Sequence, residues 1–147
     1  MLRYALPHIL HLFAALLFIG TVFFEVLFLE SIRKRLPRNV MHQIEVAIGQ
    51  RARQLMPWVL AVLYLSGAIM AWHYRPLLAQ PTHNGFGLLL ALKIALAISV
   101  FGHFLTAMWL RRRGRLVNTV SRRIHLSLFC HMIGIVLLAK LMFHWTW

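Results

Sequence analysis

The sequence predicts an all-α integral membrane protein, a bundle of four transmembrane helices. Three observations carry that prediction. Four long apolar stretches fill most of the 147 residues, which are 61% hydrophobic. The basic residues gather in alternate joints between those stretches. Polar ionisable side chains, mainly histidines, nonetheless sit inside the apolar runs, where burial is costly unless the group has a role.

The first run covers about residues 5–29, the second 55–72, the third 86–110 and the fourth 124–143. Each is long enough to cross a hydrocarbon core of roughly 30 Å at about 1.5 Å per residue. The first is too long for a signal peptide, ends in Glu25-Val-Leu-Phe-Leu-Glu30, and lacks a small-x-small cleavage site. The second opens with Pro57, expected in a first turn where a missing N–H costs little. Between the first two runs, residues 37–53 read as a short amphipathic cytoplasmic helix. Met41, Ile44, Ile48 and Leu55 form its stripe, with His42, Glu45, Gln50 and Arg53 elsewhere. Pro81-Thr-His-Asn-Gly85 is an outer turn. No repeat, low-complexity segment or heptad pattern is expected.

Orientation follows from the charges. The first joint holds Arg33, Lys34, Arg35, Arg38, Arg51 and Arg53; the third holds Arg111, Arg112, Arg113, Arg115, Arg122 and Arg123. The second joint has only Arg75 and the N-terminus only Arg3. Joints one and three are therefore cytoplasmic and both termini face outward. Trp72, Tyr74, Trp145 and Trp147 suit an outer aromatic belt. The net charge of +13 would suggest nucleic acid in a soluble chain. Here its placement beside apolar runs points to lipid headgroups, and nucleic-acid binding is not expected. A lone cysteine, Cys130, rules out an internal disulfide and a Cys-x-x-Cys site, and its place on the fourth helix reads as core.

The ionisable groups sort by depth. His11, Lys93, Lys140 and His144 belong to an outer layer, with His8 and His73 at its boundary. His103 and His131 belong to an inner layer, with Glu25 and His125 nearby. His103 lies about two turns before the end of its run and His131 about two turns after the start of its own, so the two should be level. They meet the first requirement for two axial ligands on one haem iron. His11 and His103 differ by roughly ten residues of depth, about 15 Å of rise, too far for one iron. A partner for His11 would be His73, His8, Lys93 or His144. Within the first helix, His8, His11, Ala15, Phe18, Val22 and Glu25 share a stripe that should face the bundle. His131 and Lys140 point to opposite sides of the fourth helix, which favours a snorkelling Lys140. His8, His42, His83 and His144 are expected at the interface. Met56, Met70, Met108, Met132 and Met142 are expected to pack rather than bind copper.

Several short features occur together in order. The first helix carries His11, then Gly20 and Phe23. The second opens with Arg51-x-Arg53-x-x-Met56-Pro57 and reaches Ser66-Gly67. The third has Lys93 and, three turns later, His103. The fourth follows Arg122-Arg123 and ends with Lys140. In these the chain resembles the CopD-like and HemJ-like group of small four-helix bacterial membrane proteins, over nearly its whole length. It departs from the HemJ pattern at Phe18, Glu25-Val26 and Arg123-Ile-His125, so the framework and His11, Lys93 and His103 are what the resemblance carries over.

HemJ-like proteins are haem-b protoporphyrinogen oxidases, and CopD-like proteins are associated with copper uptake or resistance. The resemblance implies an inner-membrane, multi-pass protein with periplasmic termini that binds b-type haem, one or two, for electron transfer or oxidoreduction. Copper handling by the same histidines is the alternative. His11, His103 and His131 are the expected metal ligands, with His73 a further cofactor-binding residue. Lys93 would hold a propionate and Glu25 would move protons. A membrane or periplasmic redox partner is expected, and the amphipathic segment suits a homo-oligomer.

Overall fold

A computed structural model describes residues 2–115 and 118–144. Among the described residues the chain is helical throughout, without strands. Four helices are long and apolar enough to cross a membrane: Ala5–Arg33, Arg38–His73, Gly85–Arg112 and Thr119–Leu141. Trp145 and Trp147 of the expected aromatic belt lie outside the described residues. The chain divides into two compact units, Met1–His73 and Tyr74–Trp147, each a helical hairpin.

In the first unit, α1 (Leu2–Phe23) runs into a π-helical turn (Phe24–Leu29) and then α2 (Glu30–Arg33), forming one continuous rod. The turn is marked by the Glu30 N–H bonding back to the Glu25 carbonyl, one residue further than an α-helix reaches. The chain reverses at residues 34–37 into α3 (Arg38–His73), which packs along α1. Ala14, Phe18, Val22 and Leu29 are buried on the rod, and Met41, Val59, Leu60 and Ser66 on α3. The buried stripe therefore includes Phe18 and Val22 as expected, with Ala14 in place of Ala15.

The expected break between an amphipathic cytoplasmic helix and a second membrane helix is absent. α3 is a single helix of 36 residues, about 54 Å long and well beyond the roughly 30 Å a span requires. Pro57 lies in its interior, not in a first turn. The lone Gly49 is a weaker interruption than a loop needs, and proline removes only the donor to the Arg53 carbonyl while keeping a helical φ. The amphipathic pattern survives in part as the first half of α3: Met41 is buried, Ile44 and Ile48 half-buried, and His42, Gln50 and Arg53 exposed, whereas Leu55 of the expected stripe is exposed and Glu45 half-buried. The Arg33 guanidinium holds the rod to this half. It donates to Glu45 Oε1 from Nε at 2.8 Å and also pairs with Glu30.

In the second unit a short α4 (Arg75–Ala79) and a 3₁₀ turn (Pro81–His83) lead into α5 (Gly85–Arg112), which packs on α6 (Asn118–Leu141). Asn84 caps α5, its side chain accepting from the Gly87 N–H. Gly87 is required there, because a Cβ would stand 2.7 Å from the Leu77 carbonyl oxygen. Tyr74, Phe86 and Phe143 stack around this end, with ring centres 5.0 and 5.7 Å apart in sequence. Midway along the hairpin Gly134 lets α6 approach α5; a Cβ would lie 3.1 Å from Leu96 Cδ1.

Candidate functional site

Two histidine sites emerge, one in each unit. In the second, Ser99 and His103 sit one turn apart on α5, and Ser127 and His131 one turn apart on α6. That spacing puts each serine and histidine on one face, and the two faces meet. His103 and His131 are level, with ring centres 5.1 Å apart and planes at 61°.

The hydrogen bonds fix the chemistry of both rings. His103 Nδ1 lies 2.8 Å from the Ser99 carbonyl, and His131 Nδ1 lies 2.7 Å from the Ser127 carbonyl. A carbonyl only accepts, so each Nδ1 carries the proton and each lone pair is on Nε2. The Ser127 hydroxyl then donates to His103 Nε2 at 2.9 Å, and the Ser99 hydroxyl donates to His131 Nε2 at 2.9 Å. Each serine thus serves two histidines, its carbonyl the one on its own helix and its hydroxyl the one opposite. All four imidazole nitrogens are satisfied with both rings neutral.

Sequence reasoning placed the two histidines level but missed the serines and the repeat. The signal is there: Ser99-Val-Phe-Gly-His103 and Ser127-Leu-Phe-Cys-His131 share the pattern Ser-x-Phe-x-His. Antiparallel packing of two such copies brings each serine to the other's histidine. Ser121 and His125, nearly two turns earlier on α6, repeat the serine–histidine spacing, and His125 Nδ1 meets the Ser121 carbonyl at 2.8 Å.

This quartet does not fit the axial pair of one haem. With metal–nitrogen bonds of about 2 Å, two axial imidazoles stand with ring centres about 6 Å apart and the macrocycle between them. Here the rings touch edge to face, both Nε2 atoms are engaged, and Leu96 lies against Gly134 one turn away. An iron pair of His103 and His131 would need the two helices to stand further apart than they do here. Levelness is necessary for such a pair, but helices in direct contact leave no gap for a porphyrin.

The first unit holds His11, half-buried on the α1 stripe. Its Nδ1 lies 3.0 Å from the Leu63 carbonyl and 3.2 Å from Ser66 Oγ. Ser66 in turn donates to the Val62 carbonyl at 2.6 Å, so its oxygen accepts from the ring. The Nδ1 proton is thereby held by α3, and the lone pair lies on Nε2. A backbone carbonyl on one nitrogen is the usual orientation of a histidine whose other nitrogen binds a metal. Gly67 makes the approach possible, since a Cβ there would be 3.2 Å from His11 Cε1. His11 therefore fits the chemistry of a haem ligand.

The other expected site residues do not gather. His73 is exposed, its Nδ1 2.9 Å from its own Ile69 carbonyl. It lies two turns beyond Ser66 along α3, about 10 Å from the level of His11, so it does not share a ligand with His11. Glu25 is half-buried within the π-helical turn. Lys93 is half-buried on α5. Lys140 is exposed while His131 faces α5, as opposite sides of α6 require. His8, His42, His83 and His144 are all exposed. Cys130, expected in the core, is exposed as well, because Ser127, His131 and Gly134 take the face toward α5. For copper, no group of three or more His, Cys, Asp or Glu gathers among the described residues.

The chain is thus a helical protein with four helices long and apolar enough to cross a membrane and with histidines at two helix–helix contacts. No family model matches it, and neither curated proteins nor solved structures give a match.

Proposed function

We propose that the protein is a multi-pass protein of the bacterial inner membrane, with periplasmic termini, that binds a b-type haem for electron transfer or oxidoreduction. The resemblance to the HemJ-like group suggests the cofactor. The observation that carries the reading is His11, whose Nδ1 proton is held by Leu63 and Ser66 so that Nε2 bears the lone pair. When bound, haem supplies one-electron chemistry at its iron. His11 would hold it through Nε2, with Leu63 fixing the ring's rotation. Glu25, in the same unit as His11, is the group suited to carrying a proton. The reading calls for one haem, not two, and for a redox partner in the membrane or periplasm.

Absorption spectra of the detergent-purified protein, oxidised and reduced, test this together with a pyridine haemochrome assay. A Soret band with a haem ratio near one is expected. His11→Ala should abolish or shift it, while His103→Gln and His131→Gln should leave it in place. A colourless protein that resists reconstitution would sink the reading.

The second reading is a structural or assembly subunit whose histidines join helices. The closed Ser99–His131 and Ser127–His103 bonds favour it. Its mark is a colourless preparation in which His→Ala variants are less stable and nothing else.

A further inference from the structure

All three acidic residues, Glu25, Glu30 and Glu45, belong to the first unit. There two of them pair with one guanidinium, that of Arg33. Every charged residue from Tyr74 onward is Lys or Arg, so the second unit has no Asp or Glu to meet its cations.

Those cations concentrate where α5 ends. The helix stops in a Schellman turn: the Gly114 N–H bonds to the Arg111 carbonyl at 2.9 Å and the Arg115 N–H to the Leu110 carbonyl at 2.9 Å. Gly114 has φ +65°, the left-handed conformation that glycine adopts without penalty. The stop presents Arg111, Arg112, Arg113 and Arg115 within one turn, all exposed. The Arg113 guanidinium lies over the exposed Trp109 ring, 4.3 Å from its centre. Tryptophan settles at the headgroup level of a bilayer, which sets the height of this arginine cluster.

α6 adds to the imbalance. Its first turn has no acidic residue, although a helix N-terminus favours negative charge, and Arg122 and Arg123 follow within the next turn. Arg122 and Arg123 are both exposed and add to the basic surface. Arginine forks suit phosphate oxygens, and at this height the phosphates are those of lipids.

We propose that the end of α5 and the start of α6 form a binding surface for anionic phospholipid headgroups, with Arg111, Arg112 and Arg115 as the principal phosphate contacts. Close spacing of the arginines favours a lipid with two phosphates, such as diphosphatidylglycerol, over one with a single phosphate. The surface is independent of haem and of His11.

The test is lipid binding to the full chain in neutral detergent, read by native mass spectrometry. Diphosphatidylglycerol, phosphatidylglycerol and phosphatidylcholine are compared, with inorganic phosphate as a competitor. The expected order of affinity is that order of lipids. At about fivefold per arginine, R111Q/R112Q/R115Q should bind the anionic lipids about a hundredfold more weakly. R111K/R112K/R115K, which keeps the charge and loses the fork, should bind more weakly than the wild type and more tightly than the glutamine variant. Equal binding of phosphatidylcholine, or an unchanged affinity in the glutamine variant, overturns the proposal. Displacement of the lipid by inorganic phosphate at matched concentration also overturns it, since the site would then read a free anion. If the glutamine variant does not fold, the wild-type protein still decides: affinity must fall as salt rises, and a salt-independent affinity refutes the surface.

Discussion

At the scale of single residues, the chain uses histidine chiefly as a hydrogen-bonding joint. An imidazole can satisfy a carbonyl with one nitrogen and a hydroxyl with the other while remaining neutral, which suits a setting where charge is expensive. His103 and His131 both do this, each through a serine on the facing helix. Such bonds are worth less than an apolar setting suggests, because the separated helices find other partners in the membrane. A double-mutant cycle on Ser99→Ala and His131→Phe should give a coupling of about 0.6 kcal/mol, with about 1.7 kcal/mol as the upper end. The Ser127 and His103 cycle should match it, since the two bonds have the same length. Reversible unfolding in mixed micelles measures both. A coupling near zero in either cycle would mean that the rings pack without the bond.

Among the elements, α1 and α3 depart furthest from expectation. The apolar run at residues 5–29 is legible as one span, but periodicity alone does not reveal that its last turn is π-helical. A π-helical turn takes up an extra residue, so the residues on either side keep their faces toward α3. Phe18 and Val22 before it stay buried, and Arg33 after it reaches Glu45 of α3. Deleting Val26 should therefore leave the hairpin folded and Arg33 opposite Glu45. Deleting Leu16 should rotate the N-terminal half of α1 by about 100° and pull His11 away from Ser66. Thermal unfolding and protease resistance of the two deletions provide the comparison. Equal damage from both would show that the turn does not absorb the residue. α3 was harder to read because the hydrophobic pattern changes character at Leu55, whereas the backbone has no reason to stop there.

At the scale of the whole molecule, the arginine distribution and the four apolar helices together lead to an expected topology. The turn after α2 and the end of α5 carry the basic clusters, and the Pro81–His83 turn carries none. On a Cys130→Ser background, His83→Cys should react with a membrane-impermeant thiol reagent added to intact spheroplasts. Arg35→Cys should react only after the membrane is opened. Labelling of both positions from the same side would break the four-span topology.

The apolar runs, their flanking charges and the levels of the histidines follow from the sequence by itself. Each depends on local composition and on the fixed rise of a helix. Which atoms the histidines touch is a different kind of fact. It depends on the rotation of one helix about its axis relative to another and on how closely they approach. Small residues such as Gly67 and Gly134 decide this only once a partner helix is in place. Level matching could place His103 beside His131, but tertiary packing decided that each ring meets a serine hydroxyl of the facing helix. The same packing brought Leu63 and Ser66 to His11 and left Cys130 exposed. It also carried α3 straight through the boundary that the hydrophobic pattern suggested.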